Sequence, residues 1–172
     1  NIIKEISEVG GSYINSISKI SEICKLIILN LPESKDVYDV VLGKTGLIKN
    51  MVDGTIIVDM STISPEITKI IYNKLKLKKS HLIDAPVSGG EIGAINGTLS
   101  IMVGGQKKIF HKIKPILSIL GKNITYVGKS GSGQITKACN QILVAGTMVA
   151  VSEIMLMAKK SGCNLSLVKD AL

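Results

Sequence analysis

Lys137, Asn140 and Gln141 stand at positions i, i+3 and i+4 of an otherwise apolar stretch, so a helix there carries all three on one face. Gly133 lies one turn earlier, inside the glycine-rich run Gly128-Lys129-Ser130-Gly131-Ser132-Gly133. A solvated polar face would account for these residues. So would a ligand site at the helix start, where a lysine can anchor an anion or give up a proton. Partial burial would draw that amine down from its usual pKa of about 10.4 toward the working pH. Ser61-Thr62, two hydroxyls directly after an apolar run, can bind a ligand or cap the helix that opens at Pro65. Ser88-Gly89-Gly90 can present successive backbone N–H groups to an anion, or form a plain tight turn. Asp84, just ahead of that turn, reads as a local structural acceptor rather than a catalytic acid. His81 and His111 are isolated, and no spacing spells a metal site or a Ser/His/Asp triad.

The elements that must position these residues alternate between strand and helix. Ser16 caps a short helix through position 22. Residues 25–29 form a β-branched and apolar run expected to be a strand buried on both faces. Ser34 then caps a helix to position 42, and residues 55–60 form a second buried strand. Ser64-Pro65-Glu66 opens a helix with a cap, a proline at its first position and an early acid, burying Ile67, Ile70, Ile71 and Leu75. Strands follow over 81–85, 99–103 and 124–127, with residues 86–94 too glycine-rich for a regular element. A helix over 107–120 contains Pro115 and stops at Gly121. A long helix after Gly133 runs to about 160, and Asn164 caps one more. Strands separated by helices imply parallel pairing in an open α/β sheet. Ligands bind such sheets beyond the carboxyl ends of the strands, which selects residues 30–32, 59–63, 84–93 and 128–134.

Composition narrows the functional classes. The chain has 172 residues, 45% hydrophobic and 20% charged, ordinary for a globular domain and too apolar for disorder. Its net charge of +8 comes entirely from lysine on the basic side, and aromatic residues are 3%. Without arginine forks or stacking rings, the lysines read as a solvated surface and no nucleic-acid partner is expected. Cys24, Cys139 and Cys163 are far apart and odd in number, which favours a reducing, cytoplasmic setting. The longest apolar run, 142–151, is half of the roughly 20 residues a membrane span needs, so no membrane partner is expected. No leader sequence is visible, but the chain begins at Asn1 without a methionine, leaving organellar targeting open.

Four stretches together resemble the β-hydroxyacid dehydrogenases: Val58-Asp-Met-Ser-Thr-Ile-Ser-Pro65, Asp84-Ala-Pro-Val-Ser-Gly-Gly90, Gly97-Thr-Leu-Ser-Ile-Met-Val-Gly-Gly105 and Gly131-Ser-Gly-Gln-Ile-Thr-Lys-Ala-Cys-Asn140. Leu31-Pro32 fits the family's cofactor-facing loop. Asp84 to Ala94, Leu120-Gly-Lys-Asn-Ile-Thr125 and Asn140-Gln141 look most like its tartronate semialdehyde reductase branch; 3-hydroxyisobutyrate dehydrogenases commonly carry two asparagines at 140 and 141. The resemblance implies a partial Rossmann-type parallel sheet with helices on both faces, followed by the start of an all-helical C-terminal domain. Residues 1–130 would be the NAD(P)-binding domain lacking its first strand-helix-strand, and 131–172 the interdomain helix and start of the helical domain.

It further implies Lys137 as the lysine that protonates a carbonyl oxygen, and Asn140 as its catalytic companion on substrate. Ser88, Gly89 and Gly90, with Ser61 beside the cofactor, would bind a small carboxylate-bearing aldehyde or hydroxyacid. Leu31, Pro32 and Thr62 would line NAD or NADP. The family's G-x-G-x-x-G turn is absent, so the chain is expected to be an internal piece of a longer, homo-oligomeric enzyme that alone binds dinucleotide poorly. Competing expectations are a 3-hydroxyisobutyrate dehydrogenase, a 6-phosphogluconate dehydrogenase, or a non-catalytic binding module of the same fold.

Overall fold

The structure, a computed structural model, describes residues 2–172. The chain divides into two compact units, one ending at Lys137 and the other Ala138–Leu172.

The first unit is built on a six-stranded sheet. Strands β1 (Leu26–Leu29), β2 (Ile56–Asp59) and β3 (His81–Asp84) are parallel, and their registers align Leu29 with Asp59 and Asp59 with Asp84. Three carboxyl ends therefore finish level with one another. Beyond β3 the direction reverses: β5 (Leu99–Gly105) runs antiparallel to β3 and to the two-residue β4 (Val87–Ser88), while β6 (Gly121–Gly128) returns parallel to β5. Strand-helix alternation leads one to expect parallel pairing throughout. The reversal arises because residues 86–98 return by β4 and the six-residue helix α5 (Gly90–Ile95). The glycine-rich stretch thus contains both a strand and a helix, contrary to the expectation of neither. Gly89, with φ +137° at the helix start, takes a backbone geometry that side-chain-bearing residues rarely adopt.

Alternation along the strands fills two apolar layers. Ile56, Val58, Ile83, Ile101 and Val103 pack against Ile109, Phe110, Ile113 and Leu117 of α6 (Lys107–Leu120) on one face. Ile27, Leu29, Ile57 and Leu82 pack on the other against Val37 and Val41 of α3 (Ser34–Leu42) and Ile71 and Leu75 of α4 (Pro65–Leu77). β2 is buried throughout, as its apolar run predicts. β1 is not: it is the outermost strand, and Ile28 is 43% exposed. Helix α4 starts as expected, with Ser64 Oγ accepting from the Glu66 and Ile67 N–H groups, but Ile70 faces outward and Thr68 is buried in its stead. Helix α3 is capped one residue earlier than expected, by Glu33, whose N–H reaches the Asp36 carboxylate; Ser34 Oγ instead accepts the Ser64 N–H.

Upstream lie α1 (Ile2–Glu8), wholly exposed, and α2 (Ile17–Ile23), capped by Ser16 as read from the sequence. Helix α7 (Ser132–Lys160) begins in the first unit and supplies most of the second, followed by α8 (Leu165–Ala171) with Asn164 as its cap. An 18-residue window of α7 has a mean hydropathy of 1.7, so by length and composition alone it could cross a membrane. The apolar character thus extends beyond the run 142–151, because the residues flanking it in the helix include further apolar ones, Ile154, Met155, Leu156 and Met157 among them.

Candidate active site

The level ends of β1, β2 and β3 release the segments beginning at Asn30, Met60 and Ala85 side by side. Ser61 is 1% exposed, and its Oγ accepts the Leu31 N–H at 2.8 Å, which ties the first two segments together. The Ser61 N–H in turn donates to Asp59 Oδ1 at 3.0 Å. Ser61 is therefore a structural link between the strand ends, and the cap of α4 is Ser64, not Ser61 or Thr62. Leu31 is half-buried, while Pro32 and Thr62 are exposed at the strand ends.

The start of α7 is fastened to the same place. Asp84 is fully buried; its Oδ1 accepts the Gly131 N–H at 2.9 Å and its Oδ2 accepts those of Gly133 and Gln134 at 2.8 and 3.3 Å. A carboxylate there satisfies donors that a helix start leaves without partners and complements its positive end. Its partners lie 47 to 50 residues away in sequence, so the expected local role is replaced by a long-range one. Gly104 and Gly133 leave room for it: a Cβ on Gly133 would come within 2.8 Å of Asp84 Oδ2 and 2.5 Å of the Met102 carbonyl oxygen, and one on Gly104 would overlap the carboxylate.

Gln134, 2% exposed, completes the attachment: its Nε2 donates to the Ser61 carbonyl at 2.8 Å and its Oε1 accepts the Ile63 N–H at 3.1 Å. Asp59 and Gln134 fall within segments the strand-end rule selects, but neither they nor Gly104 stand out there as site residues. The available signal was a polar residue three before Lys137 on a helix whose other side is apolar.

Lys137 is 9% exposed, and its ammonium makes no hydrogen bond or ion pair among the described residues. Burial alone draws its pKa below the ordinary lysine value. A largely covered lysine with no carboxylate partner is uncommon, and residues with burial-shifted pKa values concentrate at functional sites. Two carboxylates at the strand ends, Asp59 and Asp84, shift the other way. Burial raises Asp59 to about 6, against the Ser61 hydrogen bonds and with help from the Asp84 charge, and leaves its Oδ2 without a partner. Burial likewise raises Asp84, opposed by the N–H groups it accepts.

Ser88 is half-buried in β4, opposite Ser100 of β5, and Gly89 and Gly90 are exposed at the start of α5. No hydrogen bond joins Ser88, Gly89 or Gly90 to Lys137 or Ser61 among the described residues. Nothing lies within 4 Å of where a Gly90 Cβ would be, so the turn is open to a ligand. Asn140, one helical turn after Lys137 and in the second unit, is half-buried with its Oδ1 lacking a partner. A cavity of about 620 Å³ lined by Lys69, Tyr72, Gln106, Lys107 and Tyr126 contains none of these residues. No cluster of metal-ligating side chains occurs among the described residues.

Pro32 and Thr62 are exposed at adjacent parallel strand ends, each next in sequence to a partner of the Leu31–Ser61 bond. Residues 2–128 match the family described as the NAD binding domain of 6-phosphogluconate dehydrogenase, and residues 131–172 that described as NAD-binding of NADP-dependent 3-hydroxyisobutyrate dehydrogenase. The second match takes in helix α7. The 2-hydroxy-3-oxopropionate reductase of Escherichia coli is 42% identical over 171 residues, covering 99% of this chain and 59% of that protein. Mouse mitochondrial 3-hydroxyisobutyrate dehydrogenase is 33% identical, covering all of this chain and 51% of that protein. The structure of Mycobacterium tuberculosis 3-hydroxyisobutyrate dehydrogenase with L-serine superposes with a TM-score of 0.85 at 27% identity, over 94% of this chain and 55% of that one. The chain thus spans between half and three-fifths of the length of these relatives. With both matches in family order and a Rossmann-like sheet beneath them, the chain belongs to the β-hydroxyacid dehydrogenase family of NAD(P)-dependent oxidoreductases.

Proposed function

We propose that the protein to which this chain belongs reduces a small β-oxo acid with NADH or NADPH, specifically 2-hydroxy-3-oxopropionate to glycerate. The observation that carries this reading is Lys137: a lysine 9% exposed and without a counter-ion, on the opening turns of a helix fastened to two strand ends. The nicotinamide supplies hydride, and negative charge then develops on the aldehyde oxygen. An ammonium within hydrogen-bond reach stabilises that charge and donates its proton, a contribution of about 10²–10⁴ in rate. Asn140 holds substrate beside Lys137, its buried Oδ1 having no partner of its own. The open turn at Ser88, Gly89 and Gly90 takes the carboxylate, with Ser61 on the substrate side beside the cofactor, while Leu31, Pro32 and Thr62 line the nicotinamide.

The domain reading is 1–130 for cofactor binding and 131–172 for the interdomain helix and the first part of a helical domain. The longer protein is a homo-oligomer and cytoplasmic, its three cysteines being free here. Similarity to 3-hydroxyisobutyrate dehydrogenases supports a second reading with the same chemistry and a different acid; Gln141 beside Asn140 favours the first. Steady-state assays of the full-length protein with both semialdehydes and both cofactors decide between them. A kcat/KM higher for methylmalonate semialdehyde, the oxidised form of 3-hydroxyisobutyrate, would overturn the first reading.

A further inference from the structure

Gln134 belongs to neither a substrate-binding nor a cofactor-lining set, yet it is the most heavily bonded residue between the α7 start and the β2 end. Its side-chain amide donates to the Ser61 carbonyl and accepts the Ile63 N–H, addressing residues i and i+2 of one extended segment as a neighbouring strand would. Its backbone N–H is held by Asp84 Oδ2. At 2% exposure it has no water with which to replace either partner.

Thr62 lies between the two clamped backbone groups, and Lys137 lies one turn further along the same helix face as Gln134. We infer that Gln134 is a positioning residue, fixing the distance between the nicotinamide-lining segment 61–63 and the amine of Lys137. Resting on the functional reading above, this adds a residue that touches neither reactant. Both ends of the amide are required. Asparagine is one methylene too short to span them, and a carboxylate at neutral pH would set an oxygen against the Ser61 carbonyl.

The test uses the full-length protein. Gln134→Met keeps the side-chain volume and removes both bonds, and misplacement by about 1 Å is expected to lower kcat some 10- to 100-fold. Titration of NADH or NADPH fluorescence should show weaker binding, and the deuterium isotope effect with 4-deuterated cofactor should rise as hydride transfer becomes limiting. Gln134→Glu gives a readout that a purely structural role would not move: its carboxyl donates only when protonated, so its activity relative to the parent should recover as pH falls. If Gln134→Met does not fold, Gln134→Glu decides alone. A Gln134→Met protein matching the parent in kcat and cofactor affinity, or a Gln134→Glu pH profile parallel to the parent's, overturns the inference. A parent that neither binds NAD(P)H nor reduces a semialdehyde overturns the functional reading instead.

Discussion

Asp84 accepts the Gly133 N–H at 2.8 Å across 49 residues of sequence, joining the end of a buried strand to the first turn of the helix that carries Lys137. The bond requires that position 133 have no side chain. Glycine to alanine in a helix ordinarily stabilises by about 0.5–1 kcal/mol. Gly133→Ala is expected to do the opposite, by about 1–3 kcal/mol, because its Cβ would press on Asp84 and the Met102 carbonyl. Denaturant midpoints of the two proteins give the sign.

Asp59 makes stability depend on pH in an unusual direction for a carboxylate. Its folded pKa of about 6 lies above its unfolded value of 3.8, so the folded state binds its proton more tightly. The stabilisation is fully present below pH 3.8 and is lost as pH rises through about 6. Asp59→Asn stays neutral and escapes that loss. Relative to the parent, it should gain up to roughly 3 kcal/mol of unfolding free energy between pH 4 and pH 8. A parent-to-variant difference that is constant over that range would exclude this account.

Ser61→Ala removes the acceptor for the Leu31 N–H and loosens the link between two strand ends. A neutral hydrogen bond of this kind contributes about 1 kcal/mol, so cofactor dissociation constants in the full-length protein should rise some 3- to 10-fold. Calorimetric titration with NADH and NADPH reads the change.

Burial lowers the Lys137 pKa from 10.5. Aldehyde reduction needs the ammonium form, so kcat/KM for reduction should fall as pH rises through that lowered value, ahead of an ordinary lysine. The alkaline limb belongs to Lys137 and should disappear from the residual activity of Lys137→Met.

What was legible in the sequence was local. Ser64-Pro65-Glu66 gives the start of α4 because cap, proline and early acid act within one turn. The apolar runs give the strands, and helical spacing sets Lys137 near the α7 start. The ligand rule for strand ends then names the segments around Leu31, Ser61, Ser88 and Gly131. What was not legible depends on partners far away. Asp84 and Gln134 hold groups 47 to 73 residues distant, and no periodicity reports such pairs. Ile28 has the composition of a doubly buried strand residue and is exposed because β1 is outermost, a fact about neighbours. The reversal at β5 was hidden because β4 has only two residues and α5 six, too short to stand out from glycine-rich loop composition.

The most direct measurement is single-turnover reduction of 2-hydroxy-3-oxopropionate by the full-length protein and its Lys137→Ala variant, with cofactor binding measured in parallel. Loss of the proton donor should slow hydride transfer by about 10²–10⁴ while NAD(P)H affinity stays close to that of the parent. A variant that transfers hydride at nearly the parental rate would contradict the role of the Lys137 amine.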